Sequence, residues 1–283
     1  MSDNKITLVA VFYNEAQKLP GYFKNVQGVV DDIIVVDCSS KDDTVAICRK
    51  NGAKVITSPY RYLEQNLNLI FPLVKTEWVL LLDADERLSP EMKKSVLEAV
   101  KIGDADIYVT RRINYLFDGF SYQAKYNNCV TKLFRKNAVR WETEMPDENP
   151  KKYGVRKDLP GYMYHYPHPS VIDWMKKTED YLRNIPIEFG KKNQKQIYMG
   201  EKVPLIARFF GVHGFRRLFL YPIFHIFNYL IRHRMILDGM RGVIYSICQG
   251  IQVFIEEASY YERNRKQKLG LTFDWAREFP DQK

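Results

Sequence analysis

The first 110 residues alternate short apolar runs with segments of helix length, and this alternation limits the fold more than any other feature. Residues 6–11 (ITLVAV), 33–36 (IIVV), 54–57 (KVIT), 78–82 (WVLLL) and 107–110 (IYVT) have strand length, and most are apolar at consecutive positions. A strand that is apolar on both sides has to be covered on both sides, the situation of a buried parallel strand. Residues 16–29, 42–50 and 89–101 lie between these runs and read as helices. The second is closed by Asn51-Gly52, a C-cap pair. The third has Ser89 at the N-cap, Pro90 next and Glu91 in the first turn. Its Met92, Val96, Ala99 and Val100 recur at helical spacing. This order predicts an α/β fold: a mostly parallel, doubly wound sheet flanked by helices.

Composition agrees with a packed globular chain. Of 283 residues, 46% are apolar and 27% charged, close to globular averages, which excludes disorder, collagen-like repeats and a disulfide scaffold. The length fits one large domain, or one domain with an extension. The four cysteines, Cys38, Cys48, Cys129 and Cys248, form no C-x-x-C pair. They read as scattered thiols of a reducing compartment rather than a zinc site. The N-terminal MSDNKITLVA has no basic region followed by a long apolar one, so no secretory leader is expected. The longest uncharged apolar stretch, 218–231, contains Pro222, His225 and Asn228. It is shorter than the roughly 20 residues of a membrane span, so none is expected. The net charge of +9 points to an anionic partner.

In doubly wound sheets, ligands bind where the strands end at their carboxyl side. The residues just after the apolar runs are therefore the informative ones: Tyr13, Asn14 and Glu15 after the first, Asp37 to Asp43 after the second, and Asp83-Ala84-Asp85-Glu86 after the fourth. Two carboxylates spaced i, i+2 at a strand end suit a hard divalent cation, Mg²⁺ or Mn²⁺, which takes one or two carboxylates together with substrate phosphates. Taken alone, the same pair can simply end a strand and cap a turn.

Three segments change that balance: residues 9–15 (VAVFYNE), 33–44 (IIVVDCSSKDDT) and 77–90 (EWVLLLDADERLSP). In this order and spacing the chain resembles the inverting family 2 glycosyltransferases of GT-A fold, a Rossmann-like architecture. Glu86 after the aspartate pair resembles the branch that includes lipopolysaccharide-core glucosyltransferases. Residues 132–136 (KLFRK), Tyr164-His165-Tyr166 and 177–181 extend the likeness to about residue 185. The resemblance implies a nucleotide-sugar and catalytic domain over 1–190 and a basic, aromatic, mainly helical extension over 191–283. It implies that Tyr13 and Glu15 line the base and ribose site and that Asp37 accepts a hydrogen bond from a uracil imide. Asp83 would contact ribose or metal, Asp85 would ligate the metal, and His165 would stand near the phosphates as a phosphate contact or third metal ligand. Tyr13 could otherwise be a core ring, Asp37 a cap for the following helix, and His165 a structural histidine.

The chain departs from the family pattern in three places. Cys38-Ser39 stands in a turn that usually carries glycine. The segment before the fourth strand lacks the usual basic residue, for which Arg61 or Gln65 can substitute. The catalytic base, needed to deprotonate the acceptor hydroxyl, is expected after the KLFR-like strand. There Asp147 or Glu148 is the candidate, with Glu144 behind them.

The stretch 202–237 contains six Lys or Arg and no Asp or Glu. Arg216-Arg217 and Arg232-His233-Arg234 flank LFLYPIFHIFNYLI, a pattern that fits either ordinary helix packing or a lipid headgroup layer. The expected partners are a nucleotide-sugar donor, most readily a UDP-hexose, and a hydroxyl of a surface glycan or lipid-linked acceptor. Peripheral membrane contact is compatible, nucleic acid is not expected, and the expected place is the cytoplasm or the inner face of its membrane. A nucleotidyltransferase would want a glycine-rich loop where Tyr13-Asn14-Glu15-Ala16 stands. An inactive sugar-nucleotide or lipid-binding module is the non-enzyme alternative.

Overall fold

The computed structural model describes residues 4–59, 63–121, 129–140, 151–184 and 216–270. The chain divides into two compact units, Met1–Tyr115 with Ala124–Pro167, and Leu116–Gln123 with His168–Lys283.

The first unit begins with β1 (Ile6–Phe12), α1 (Leu19–Val26), β2 (Asp32–Asp37), α2 (Thr44–Lys50) and β3 (Lys54–Thr57). Then follow α3 (Leu63–Ile70), β4 (Trp78–Leu81), β5 (Glu86–Leu88), α4 (Pro90–Ile102) and β6 (Ile107–Leu116). After β7 (Gly119–Ser121), which falls in the second unit, come β8 (Cys129–Arg135) and β11 (Arg156–His168). The short β9 (Val139–Arg140) and β10 (Lys151–Lys152) make a separate antiparallel pair. The main sheet runs in the order β3-β2-β1-β4-β8-β6-β11-β5. It is parallel from β3 to β4 and antiparallel where β8 meets β4 and β6, and where β5 meets β11. The α/β architecture expected from the apolar runs is therefore present as a mixed sheet with helices.

The surroundings of β1 explain why its sequence is almost entirely apolar. Leu8, Ala10 and Phe12 pack with Leu19, Tyr22, Phe23 and Val26 of α1. Val9 belongs to a second cluster with Ile34, Val36, Leu67 and Ile70. Alternate side chains thus enter different cores, and the one polar residue of β1, the buried Thr7, has its hydroxyl paired with that of Thr76 at 2.7 Å. Tyr22, fully buried, keeps its ring against Phe12 and Phe23 in edge-to-face contacts and donates its hydroxyl to the Leu82 carbonyl at 3.1 Å.

The Ser89 cap is present and does more than the sequence indicates. Its Oγ accepts from Met92 N at 3.1 Å, closing the first turn of α4, and from Tyr162 N of β11 at 3.1 Å. Gly103 ends the helix at φ 63°. β5 is a strand that local reading did not reveal. It has three residues, and its hydrogen-bonding partner β11 lies far along the chain.

The loops after β1 and β2 are stitched together. Asn14 N donates to Ser40 Oγ at 2.8 Å, Lys41 N to Asn14 Oδ1 at 2.8 Å, and Glu15 N to Thr44 Oγ1 at 2.8 Å. Asn14 and Ser39 adopt left-handed backbone, at φ 54° and 65°. Ser39 thus holds, in the Cys38-Ser39 turn, a backbone conformation that glycine adopts most easily.

The second unit contains β7 and α5 (Val171–Asn184). The sequence reading of a helix over 170–189 ends for the described residues at Asn184. Beyond lie α6 (Tyr221–Phe227) and the thirty-residue α7 (Met240–Leu269), with short π-helical and 3-10 turns between 216 and 238. Gly250 of α7 allows close approach: a Cβ there would collide with the Ile226 side chain and stand 3.0 Å from the Pro222 carbonyl. Arg217 of this unit is buried and forms an ion pair with Glu257, Nη2 to Oε1 at 2.6 Å. Among the described residues, no helix is long and apolar enough to cross a membrane.

Two stability measurements test this reading. Ser89→Ala removes an acceptor from two backbone donors and is expected to cost about 1–2 kcal/mol in urea unfolding; an unchanged midpoint would show the cap to be idle. Ser39→Gly is expected to stay within about 1 kcal/mol of the parent protein, whereas Ser39→Val should lose about 1–3 kcal/mol. Equal stabilities of the two variants would contradict a left-handed residue 39.

Candidate active site

The ends of β1, β2 and β4 bring polar groups to one edge of the sheet in the first unit, because the three strands are parallel and in register. Val9 pairs with Ile34 and with Leu81, and Phe12 pairs with Asp37.

At the end of β2, Asp37 is 2% exposed. Its Oδ2 accepts from Ser40 N at 3.0 Å, whereas Oδ1 is buried with no hydrogen-bond partner among the described residues. Asp37 does not cap the next helix. Thr44 N at the start of α2 donates instead to Asp42 Oδ1 at 3.0 Å. The neighbouring Cys38 accepts from Asn66 Nδ2 at 3.4 Å. Burial and the Asp37 charge push its thiol up to about 11, so it stays protonated and is no nucleophile near neutrality. Tyr13 is 55% exposed, which excludes a core role for its ring. The Glu15 carboxylate meets Lys18 Nζ at 2.5 Å. Gln65 lies on α3 and is half-buried. Arg61, Glu144, Asp147 and Glu148 lie outside the described residues.

After β4 the chain makes a tight acidic turn whose backbone is held at every step. Glu86 N donates to the Asp83 carbonyl at 3.0 Å, and Tyr166 N to the Asp85 carbonyl at 2.8 Å. Arg87 Nη1 donates to the carbonyls of Ala84 and Glu86 at 2.8 and 2.7 Å, while its Nη2 reaches the Lys18 carbonyl at 2.8 Å. The guanidinium lies 5.5 Å from the Tyr22 ring centre.

The two aspartates of this turn face different partners. Asp83, with its side chain 44% exposed, meets Lys132 Nζ at 2.9 Å through Oδ2. Asp85, 12% exposed, has Oδ2 3.6 Å from His165 Nε2. The other ring nitrogen of His165 pairs with Asn114 Oδ1 at 2.8 Å. An amide oxygen only accepts, so Nδ1 donates there and Nε2 is the ring nitrogen on the side of Asp85. That is the arrangement in which an outer partner orients a ligating histidine.

Among the described residues no group of three His, Cys, Asp or Glu gathers around one point. The structure thus brings Asp85 and His165 together and joins Asp83 to Lys132. One carboxylate and one imidazole are a donor set that fits Mg²⁺ or Mn²⁺ if phosphate oxygens and water complete the coordination.

Glu86 and Lys132 were not assigned roles from the sequence. The Glu86 side chain is fully buried, accepts from Asp83 N at 2.9 Å and meets Lys132 Nζ at 2.7 Å. Burial beside Asp83 pushes the Glu86 carboxyl up to about 7, against the pull of the Lys132 ammonium. The two acids in turn hold Lys132 well above the ordinary lysine range, so it stays charged. One signal was available: a lysine inside the apolar run of β8, where a buried strand gives no reason for charge. Asn114 offered none, since its role depends on β6 lying beside β11.

Residues 7–160, more than half of the chain, match the family described as Glycosyl transferase family 2. Over 231 residues the chain is 27% identical to an "Uncharacterized glycosyltransferase" of Rickettsia felis, covering 77% of this chain and 81% of that one. A glycosyltransferase of Rickettsia conorii is also 27% identical, over 233 residues, covering 77% and 82%. Among solved structures, residues 1–349 of S. aureus TarS are 15% identical and cover 95% of this chain and 93% of that chain. The TM-score is 0.49. The sequence match over the whole α/β region, with an acidic edge at the strand ends, makes this protein an enzyme, a glycosyltransferase that belongs to glycosyl transferase family 2.

Proposed function

We propose that the enzyme is an inverting, metal-dependent hexosyltransferase that uses a UDP-sugar. The observation that carries this reading is the Asp85–His165 pair at the end of β4, oriented by Asn114. A Mg²⁺ or Mn²⁺ ion held there would neutralise the diphosphate as it departs. Asp37 is compatible with uridine, because its Oδ1 is an acceptor with no hydrogen-bond partner among the described residues and a uracil imide N–H is a donor. Tyr13, exposed beside it, suits stacking on the base, with Glu15, Arg61 and Gln65 completing the nucleotide pocket. Asp83, at the rim of the turn, faces the ribose. Asp147 or Glu148 takes the acceptor proton, and no covalent intermediate is needed, in keeping with the protonated Cys38.

The proposed acceptor is a hydroxyl of a surface glycan or lipid-linked saccharide such as lipopolysaccharide core, met at the inner face of the cytoplasmic membrane. Support comes from the second unit, where Phe227, Ile231, Leu237 and Met240 are more than half exposed close to the exposed Arg232 and Arg234. Apolar side chains rimmed by arginine suit an anionic lipid surface.

The test of the reaction is release of nucleoside diphosphate across a panel of nucleotides and sugars with Mn²⁺. UDP-hexoses are expected to turn over, Asp85→Ala to abolish the activity, and one of Asp147→Asn or Glu148→Gln to lower it by about 10²–10⁴-fold. Undiminished turnover in Asp85→Ala would remove the metal reading, and undiminished turnover in both loop variants would remove the base assignment. For the membrane, flotation with vesicles containing anionic lipid is expected to carry the protein, and Phe227→Glu with Ile231→Glu to leave it behind. A protein that ignores anionic vesicles would contradict a lipid-facing second unit.

A further inference from the structure

We propose that Lys132 is a positioning residue that divides the work of the two aspartates. It holds Asp83 away from a bound divalent ion, so that Asp85 and His165 supply the protein ligands. The inference rests on the metal reading above.

Three observations support it. First, Asp83 is tethered at two points to one buried pair: its Oδ2 to Lys132 Nζ at 2.9 Å and its backbone N–H to Glu86 Oε2 at 2.9 Å. Second, the pair is fixed. The Lys132 side chain is 9% exposed, that of Glu86 is fully buried, and the two meet at 2.7 Å. Arg112 Nη1 stands 4.0 Å from the other Glu86 oxygen and adds a second positive charge. Third, the ammonium occupies Asp83 Oδ2, and a divalent ion on that oxygen would face a like charge at hydrogen-bond range.

A buried ion pair gives little net stability, because two charges must leave water and well-packed apolar residues often serve as well. Stability alone therefore does not account for a lysine at the centre of β8. Its placement does: β8 runs antiparallel to β4, with Leu133 opposite Leu80. This brings Lys132 to the strand end from which the acidic turn departs. Asp83 thus shares the Lys132 ammonium with Glu86, whereas Asp85 lies with its Oδ2 3.6 Å from His165 Nε2.

The experiment is a cycle of variants read by Mn²⁺ binding, with free and bound ion distinguished by electron paramagnetic resonance without nucleotide. Lys132→Met alone would leave Glu86 buried and unpaired, so the informative variant is E86Q/K132M, which removes both buried charges. Asp83 is then released, and Mn²⁺ affinity is expected to rise about tenfold, the scale on which outer-sphere partners act on metal sites. Adding Asp83→Asn to that double variant should cancel the gain. In the otherwise intact enzyme Asp83→Asn should change Mn²⁺ affinity by less than about threefold, while Asp85→Asn loses at least tenfold.

Unchanged or weaker Mn²⁺ binding in a cooperatively folding E86Q/K132M would overturn the inference. Should that variant not fold, Asp83→Asn in the intact enzyme decides: a tenfold loss would place Asp83 on the metal and overturn it, and retained affinity supports it. A wild-type protein that binds no Mn²⁺ with or without UDP fails the metal reading itself, and the inference falls with it. A wild type that binds Mn²⁺ normally while the variants disobey the cycle fails the inference alone.

Discussion

A strand buried on both faces tolerates a polar group inside the sheet only where a partner satisfies it, so unpartnered polar groups collect at its ends, and this constraint arranges the catalytic unit. β1 sends Leu8, Ala10 and Phe12 into one core and Val9 into the other, and β2 and β4 are covered in the same way. The middle of each strand is therefore mainly apolar. Because β1, β2 and β4 are parallel and in register, their first polar residues arrive together at one edge. Tyr13, Asp37 and Asp83 are neighbours for that reason, although up to 70 positions separate them in the sequence.

Concentrating acids at one edge creates a repulsion that the fold has to answer. Burial raises the cost of charge, and like charges raise it further. The answer is local and unequal. Asp83 and Glu86 share the Lys132 ammonium, Glu15 takes Lys18, and the backbone of the acidic turn is held by Arg87. Asp85 is instead set beside an imidazole that Asn114 orients through its other ring nitrogen. The edge is thus preorganised before any ligand arrives, which is the condition for electrostatic stabilisation of a departing diphosphate.

The parts of this arrangement that depend on local chemistry were legible in the sequence. The strand runs β1 to β4, the Ser89 cap and the acidic turn after WVLLL follow from apolar pattern, N-cap chemistry and strand-end logic. The parts that depend on distant pairing were not. β5 exists because Glu86 meets His165 and Leu88 meets Met163 on a strand some 75 residues later. The use of Lys132 depends on β8 joining β4 antiparallel, a register that hydrophobic pattern cannot supply. The lack of glycine in the Cys38-Ser39 turn was visible as a departure, but the left-handed backbone of Ser39 was not.

The most direct measurement is a crystal structure of the enzyme with Mn²⁺ and UDP. The expected result is a metal ion bonded to Asp85 and His165 and to diphosphate oxygens, with Asp37 on the uracil imide and Asp83 still on Lys132. A nucleotide bound away from the ends of β1, β2 and β4, or Asp85 turned to solvent with no ion beside His165, would contradict it.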